Sequence, residues 1–181
     1  MLCSHPPLSL PEFSRGVWGT ASGKCTGRGM PRDHVIRLRG PWEYRAWASP
    51  SAVAGRITLP ADWGSTLGPD FRGRVAYRRR FGCPTGLEPG DRVDLVIDRV
   101  DALGSVRLND EPLGDIPVGG QAWRCDVTRR LGRRNELTVE VELPRVRDGE
   151  PPPARPGREG LPGGLVGEVR LEIFRVAGDA R

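Results

Sequence analysis

The side chains best suited to gripping a ligand in this sequence are five tryptophans, Trp18, Trp42, Trp47, Trp63 and Trp123. An aromatic ring gives the apolar face of a sugar a platform, and polar neighbours hold its hydroxyls. Trp47, within Arg45-Ala46-Trp47-Ala48-Ser49-Pro50, falls where a strand gives way to a loop and is the exposed candidate; Trp123 is intermediate. Glycoside hydrolysis would need two carboxylates about 5–5.5 Å apart for retention, or about 6.5–9.5 Å for inversion, flanking a sugar-sized cleft. Glu140 and Glu142 share one strand face at about 7 Å, but on a regular wet face with no sign of a pocket, so no catalysis is assigned to them. His34 opens a strand and follows no nucleophile motif, which leaves Ser-His-Asp chemistry without a base. Cys3, Cys25, Cys83 and Cys125 lack C-x-x-C spacing, and His5 and His34 do not complete a zinc site with them. Neither a metal nor another cofactor is expected.

The net charge of +5 comes almost wholly from arginine, Lys24 being the one lysine, and is interleaved with 23 carboxylates. Such lopsided Arg, Gly, Pro and Ala usage is as well explained by a GC-rich genome as by a basic site, so nucleic acid is a disfavoured partner. The local concentrations are Arg78-Arg79-Arg80, Arg129-Arg130 and Arg133-Arg134. Arg78 and Arg80 share an exposed strand face, where solvation is preferred over an acidic-sugar or phosphate site.

These residues must be positioned by short strands. Gly 25 and Pro 18 in 181 residues argue against long helices. Residues 1–30 carry no period and are read as a disordered leader, with Met30 as the expected translation start. From 31 to 178 the sequence reads as one domain of period-two segments. In 136–143, Leu137, Val139, Val141 and Leu143 face one way and Glu136, Thr138, Glu140 and Glu142 the other. Segments 91–98, 105–109 and 168–173 repeat the pattern, with Asp94 and Val96 on the outward side of the first; further strands are expected at 35–38, 41–46, 55–59, 74–81 and around 122–126. A single helical turn is expected at 128–131, capped by Thr128. Eight or nine such strands describe an all-β antiparallel sandwich or jelly roll, with 144–163 as a long Pro-rich loop. No apolar run is long enough to cross a membrane and no secretory signal is seen, so the expected location is cytoplasmic.

Parity places Val75, Tyr77, Arg79 and Phe81 on one face, so Arg79 is an arginine among core residues in need of a carboxylate, for which Asp101 is the candidate. Asn109-Asp110 supplies a tight turn tolerant of positive φ. Asp126 and Thr128 are set to accept bonds from amides of the following turn.

The ordered series Tyr77-Arg78-Arg79-Arg80-Phe81, Val106-Arg107-Leu108-Asn109, Leu113-Gly114, Asp126-Val127-Thr128 and Asn135-Glu136-Leu137-Thr138-Val139-Glu140-Val141 resembles the N-terminal sugar-binding domain of glycoside hydrolase family 2. The likeness extends to Trp42-Glu43-Tyr44, Trp63 and Gly163-Gly164-Leu165, and so covers roughly 33–176. It implies a galactose-binding-like jelly roll with Trp42 and Trp63 in the core and Tyr77, Arg79, Phe81, Asp101, Asn109, Asp126 and Thr128 as structural residues. It also implies that the catalytic glutamates belong to a separate barrel, which needs about 200 residues or more. An acidic residue that this domain can lend to the sugar pocket aligns with Arg158, with Glu159 beside it; the accompanying aromatic and arginine are missing here. Arg158 and Glu159 join Trp47 and Trp123 as candidate ligand-binding residues. The expected role is a non-catalytic carbohydrate-binding or interaction module. The alternatives are an accessory part of a split glycoside hydrolase with a separate catalytic chain, and an anion or nucleic-acid binder through arginines.

Overall fold

The computed structural model describes residues 34–47, 52–101, 103–116, 121–144 and 158–175. The leader 1–30, Met30, Trp18 and positions 145–157 of the Pro-rich loop lie outside the described residues, as do the outermost positions of the 31–178 domain.

Twelve strands form among the described residues: β1 (His34–Arg37), β2 (Trp42–Trp47), β3 (Ala52–Ile57), β4 (Ala61–Asp62), β5 (Gly73–Gly82), β6 (Arg92–Ile97), β7 (Leu103–Leu108), β8 (Glu111–Ile116), β9 (Trp123–Asp126), β10 (Arg134–Leu143), β11 (Gly164–Leu165) and β12 (Val169–Phe174). They make an all-β sandwich of a six-stranded sheet ordered β3-β2-β5-β10-β7-β8 and a four-stranded sheet ordered β1-β12-β6-β9, with β11-β4 as a small closing pair. Every strand pair is antiparallel. The count exceeds the eight or nine expected because β8, the return arm of the Asn109 hairpin, and the two-residue β4 and β11 carry too few alternating residues to be read locally. One short helix, α1 (Gly64–Leu67), also forms.

β10 anchors the larger sheet, pairing with β5 over its whole length and with β7 on its other side. Leu137, Val139, Val141 and Leu143 are buried as their alternation predicts, facing Leu95, Ile97, Leu171 and Ile173 of the other sheet in one core with Trp42, Trp63 and Tyr77. Trp42 donates from Nε1 to the Leu38 carbonyl at 2.6 Å, and Trp63 meets Phe71 edge-on at 5.2 Å. Burial pushes the Tyr77 hydroxyl well above the usual tyrosine range.

β6 departs from its sequence pattern. Val93, Leu95 and Ile97 point inward as read, but the outward Asp94 and Val96 are also buried. Asp94 stands opposite Glu172 of β12, itself fully buried, and two facing carboxylates would repel. The guanidinium of Arg124 forks between them, with Nη1 at 2.9 Å from Asp94 and Nη2 at 2.6 Å from Glu172. Arg92 adds two bonds to Asp94, and Arg170 links Glu172 to Asp98. Partial burial works against the charge on Arg124 and Arg170, but these carboxylates outweigh it and hold both guanidinium groups more firmly protonated than usual. Arginine stems laid over this face exclude water from what the sequence reads as a wet surface.

The Asn109-Asp110 turn forms as expected, with φ of 51° and 65°, and Asn109 does more than turn. Its Oδ1 accepts from the Glu136 amide at 2.9 Å, and its Nδ2 donates to the Arg130 carbonyl at 3.0 Å and to Asn135 at 3.1 Å. The helical turn at 128–131 is a 3₁₀ turn, Thr128–Arg130, and Thr128 does not cap it. Asp126 Oδ1 instead accepts from the Thr128 amide at 2.9 Å and hydroxyl at 2.6 Å, while Thr128 Oγ1 accepts from Val93 on β6 at 2.8 Å.

Close backbone approach fixes Gly167. A Cβ there would lie 2.1 Å from the Arg99 amide nitrogen, a contact that only backbone movement relieves. Gly167→Ala is expected to cost about 2–4 kcal/mol in chemical denaturation. Gly132→Ala, whose Cβ would find ordinary contact at 3.5 Å, is expected to change stability by less than about 1 kcal/mol.

Candidate functional site

The outer face of the six-stranded sheet is built by register. One row across it reads Trp47, Arg74, Glu142 and Leu103 on β2, β5, β10 and β7; the next reads Arg45, Ala76, Glu140, Ser105 and Asp115, ending on β8. Trp47, the last residue of β2, is 45% exposed, and Leu103 at the far end of its row is 56% exposed. The guanidinium groups of Arg45 and Arg74 each lie 5.9 Å from the Trp47 ring centroid, within cation–π range. Small Ala76 leaves a low point between Arg45 and Glu140. Beside it a groove of about 440 Å³ is lined by Arg74, Leu103, Ser105, Asp115, Glu140 and Glu142.

This corrects the expectation that Glu140 and Glu142 face no pocket. The correction does not make them a glycosidase pair. Arg74 reaches both, at 3.6 Å from each carboxylate, and supplies a counterion where a general acid needs surroundings that keep its proton. What the groove does offer is a polar floor and carboxylate acceptors next to an exposed indole, a combination that grips hydroxyls and stacks on a ring. The sequence signals Trp47 through its place at a strand end. Arg45, Ser105 and Asp115 escape notice because only strand register brings them together.

The other predicted residues go elsewhere. Trp123 lies on β9 opposite Ile97, partly buried against the core. Arg158 Nε meets Asp101 Oδ2 at 2.8 Å and Nη2 donates to the Pro162 carbonyl at 2.9 Å. This pins the segment entering β11 to Asp101, whose own amide bonds the Gly164 carbonyl at 3.0 Å. Glu159 follows in an exposed turn. Trp47 on one outer face, Trp123 on the core side of the other sheet, and Arg158 before β11 therefore share no single element or face.

Asp101 is consequently not the partner of Arg79. Arg79 donates to the Pro41 carbonyl, and its buried Nε has no hydrogen-bond partner among the described residues. A backbone carbonyl replaces the carboxylate that parity had called for. Phe81, on the same face, is partly buried against the core. Arg78 and Arg80 are engaged as well: Arg78 Nη2 lies 2.6 Å from Glu43, and Arg80 Nε lies 2.9 Å from Glu136. The bonded Arg78 holds the Glu43 carboxyl below the usual carboxylate range. Among the described residues no group of His, Cys, Asp and Glu is placed to hold a metal ion, and no helix is long and apolar enough to cross a membrane.

Because Asp101 is 2% exposed, removing it leaves Arg158 without its closest counterion in a partly buried setting. Asp101→Ala is expected to lower stability by about 3 kcal/mol in urea unfolding. The double variant Asp101→Ala/Arg158→Met should recover part of that loss, and an uncoupled, additive result would contradict the pairing.

Comparison with known proteins agrees with this fold. The chain is 26% identical to an FMN-binding β-glucuronidase from Facaelibacterium prausnitzii L2-6, with a TM-score of 0.64, covering 80% of this chain and 23% of that one. It is 22% identical to the Bifidobacterium dentium β-glucuronidase complexed with coumarin-3-O-glucuronide (TM-score 0.60, 82% of this chain and 31% of that one). For a glycoside hydrolase family 2 β-galacturonidase from Eisenbergiella tayi the values are 17%, 0.60, 81% and 25%. The last two likenesses speak to fold, and the chain spans less than a third of each of these relatives. No curated protein matches the sequence. Residues 72–164, from the approach to β5 through the first residue of β11, match the glycosyl hydrolase 2 galactose-binding domain-like family, and the chain belongs to it.

Proposed function

We propose that this chain is a non-catalytic carbohydrate-binding module whose sugar site is the outer face of the six-stranded sheet. The observation that carries the reading is the half-exposed Trp47 ring flanked by two guanidinium groups, at the end of a row that leads into the groove of Glu140, Ser105 and Asp115. The indole stacks on a sugar ring, Arg45 and Arg74 meet a uronate carboxylate or hydroxyls, and the groove holds the neighbouring residue of the glycan. Relatives described as β-glucuronidases and a β-galacturonidase direct attention to uronic-acid-bearing glycans.

A second reading has the domain serving a glycosidase barrel as an accessory part, with a carbohydrate ligand optional. It is favoured by the 23% of the β-glucuronidase that the chain spans. Stimulation of a separately produced barrel chain by this domain, undiminished by Trp47→Ala, would select it. The reading of Arg78 and Arg80 as an anion site loses support, since Glu43 and Glu136 already engage those two side chains.

The test is a glycan array followed by calorimetric titration with glucuronate- and galactose-terminated oligosaccharides, using the wild-type chain and Trp47→Ala. The expected result is at least a tenfold loss of affinity, about 1.4 kcal/mol, with an unchanged melting temperature. Absence of binding to any glycan, or binding indifferent to Trp47→Ala, would overturn the proposal.

A further inference from the structure

The end of the sandwich opposite Trp47 carries a second, differently charged cavity. β10 runs between the two ends: its Glu142 lines the Trp47-side groove, while its first residues, Arg134 and Asn135, lie beside the Asn109 turn and the 3₁₀ turn. Ten strand residues place the two ends about 30 Å apart. At this far end, Arg92 from the start of β6 and Arg129 and Arg130 from the 3₁₀ turn line one open cleft of about 610 Å³, together with Gly90, Asp91 and Asp126.

The two aspartates offset part of this charge, Asp126 Oδ2 standing 3.6 Å from Arg92 Nε, and both also bond the chain beside them. Asp91 Oδ2 accepts from the Glu88 amide at 2.9 Å, and Asp126 Oδ1 takes the Thr128 amide and hydroxyl. Arg92 is held rigid by its two bonds to Asp94. Arg130 meets its nearest carboxylate, Glu111, only at 3.7 Å, and Arg129 is exposed and makes no ion pair among the described residues. Partial burial works to raise the Asp126 pKa, but the Thr128 bonds and the charges of Arg92 and Arg129 outweigh it, so the carboxyl stays ionised to lower pH than usual. With Arg92 committed to Asp94 and Asp126, Arg129 and Arg130 are the guanidinium groups the cleft leaves without a close carboxylate partner among the described residues.

We propose that this cleft binds a tetrahedral oxyanion, a phosphate or sulfate group, independently of the sugar face. Arg129 and Arg130, adjacent on the 3₁₀ turn, can each address a different oxygen of such an anion. Gly90, with φ of 103° and no side chain, lines the cleft and leaves room for the molecule that bears the anion.

The test is calorimetric titration of the full chain with inorganic phosphate, and separately with inorganic sulfate, at ionic strength held constant with chloride. The variants are Arg129→Ala, Arg129→Ala/Arg130→Ala and, as a control, Arg78→Ala. The expected result is saturable one-to-one binding of at least one of the two anions, weakened tenfold or more in the double variant and unchanged in Arg78→Ala. Melting temperatures in chloride alone confirm that the variants remain folded; where the double variant does not, Arg129→Ala alone decides, with a weakening of about threefold or more expected. Absence of saturable binding of either anion overturns the proposal, as does binding unaffected by the Arg129 and Arg130 substitutions.

Discussion

The fold depends on which way β10 faces. Its side chains alternate strictly, so a slip of one residue against β5 or β7 would move Leu137, Val139, Val141 and Leu143 out of the core and drive Glu136, Glu140 and Glu142 into it. Losing burial of four large aliphatic side chains forfeits on the order of 6–12 kcal/mol, comparable to the roughly 5–15 kcal/mol that holds a domain folded. The register is thereby fixed, and with it the composition of the opposite face. On β5 and β10, Arg74 meets Glu140 and Glu142 while Arg78 and Arg80 meet Glu136, because the register leaves these side chains together on the outer face.

The same strand separates two chemistries. Toward Leu143 the sheet ends in an exposed indole, a groove and a mixture of hydroxyl, carboxylate and guanidinium groups; toward Arg134 it ends in turns knitted by Asn109 and Asn135, with an arginine-lined cleft beyond. The four-stranded sheet contributes rigidity differently. Its outer face buries two opposed carboxylates, Asp94 and Glu172, that only the fork of Arg124 and the flanking Arg92 and Arg170 make tolerable. Removing one of those arginines would leave a buried charge, whereas removing an arginine of the six-stranded face exposes a carboxylate to water at little cost.

What the sequence discloses follows from the range of the interaction. The alternation of β10 and the positive-φ pair Asn109-Asp110 are local facts, visible in a few consecutive residues, and both form as read. The burial of Asp94 is invisible locally, since it depends on arginines from β9 and β12 lying across β6. Alternation along β5 points Arg79 inward but does not name its partner, which is the Pro41 carbonyl and not a carboxylate. The pairing of Arg158 with Asp101 bridges 57 positions, and the groove beside Trp47 exists only once four strands are aligned. Trp47 itself is legible from its place at the end of β2, on the opposite face from the buried Ala46.

The central claim is that glycan recognition resides on the outward row led by Trp47. Its most direct test is a ¹⁵N-labelled titration of the chain with a glucuronate-terminated oligosaccharide, following backbone amides and indole resonances. Saturable shifts are expected, concentrated at Trp47, Arg74, Ser105, Asp115 and Glu140, with the Arg158 to Leu165 segment and the 3₁₀ turn unmoved. Shifts centred on either of those latter regions, or none at millimolar glycan, would contradict that claim.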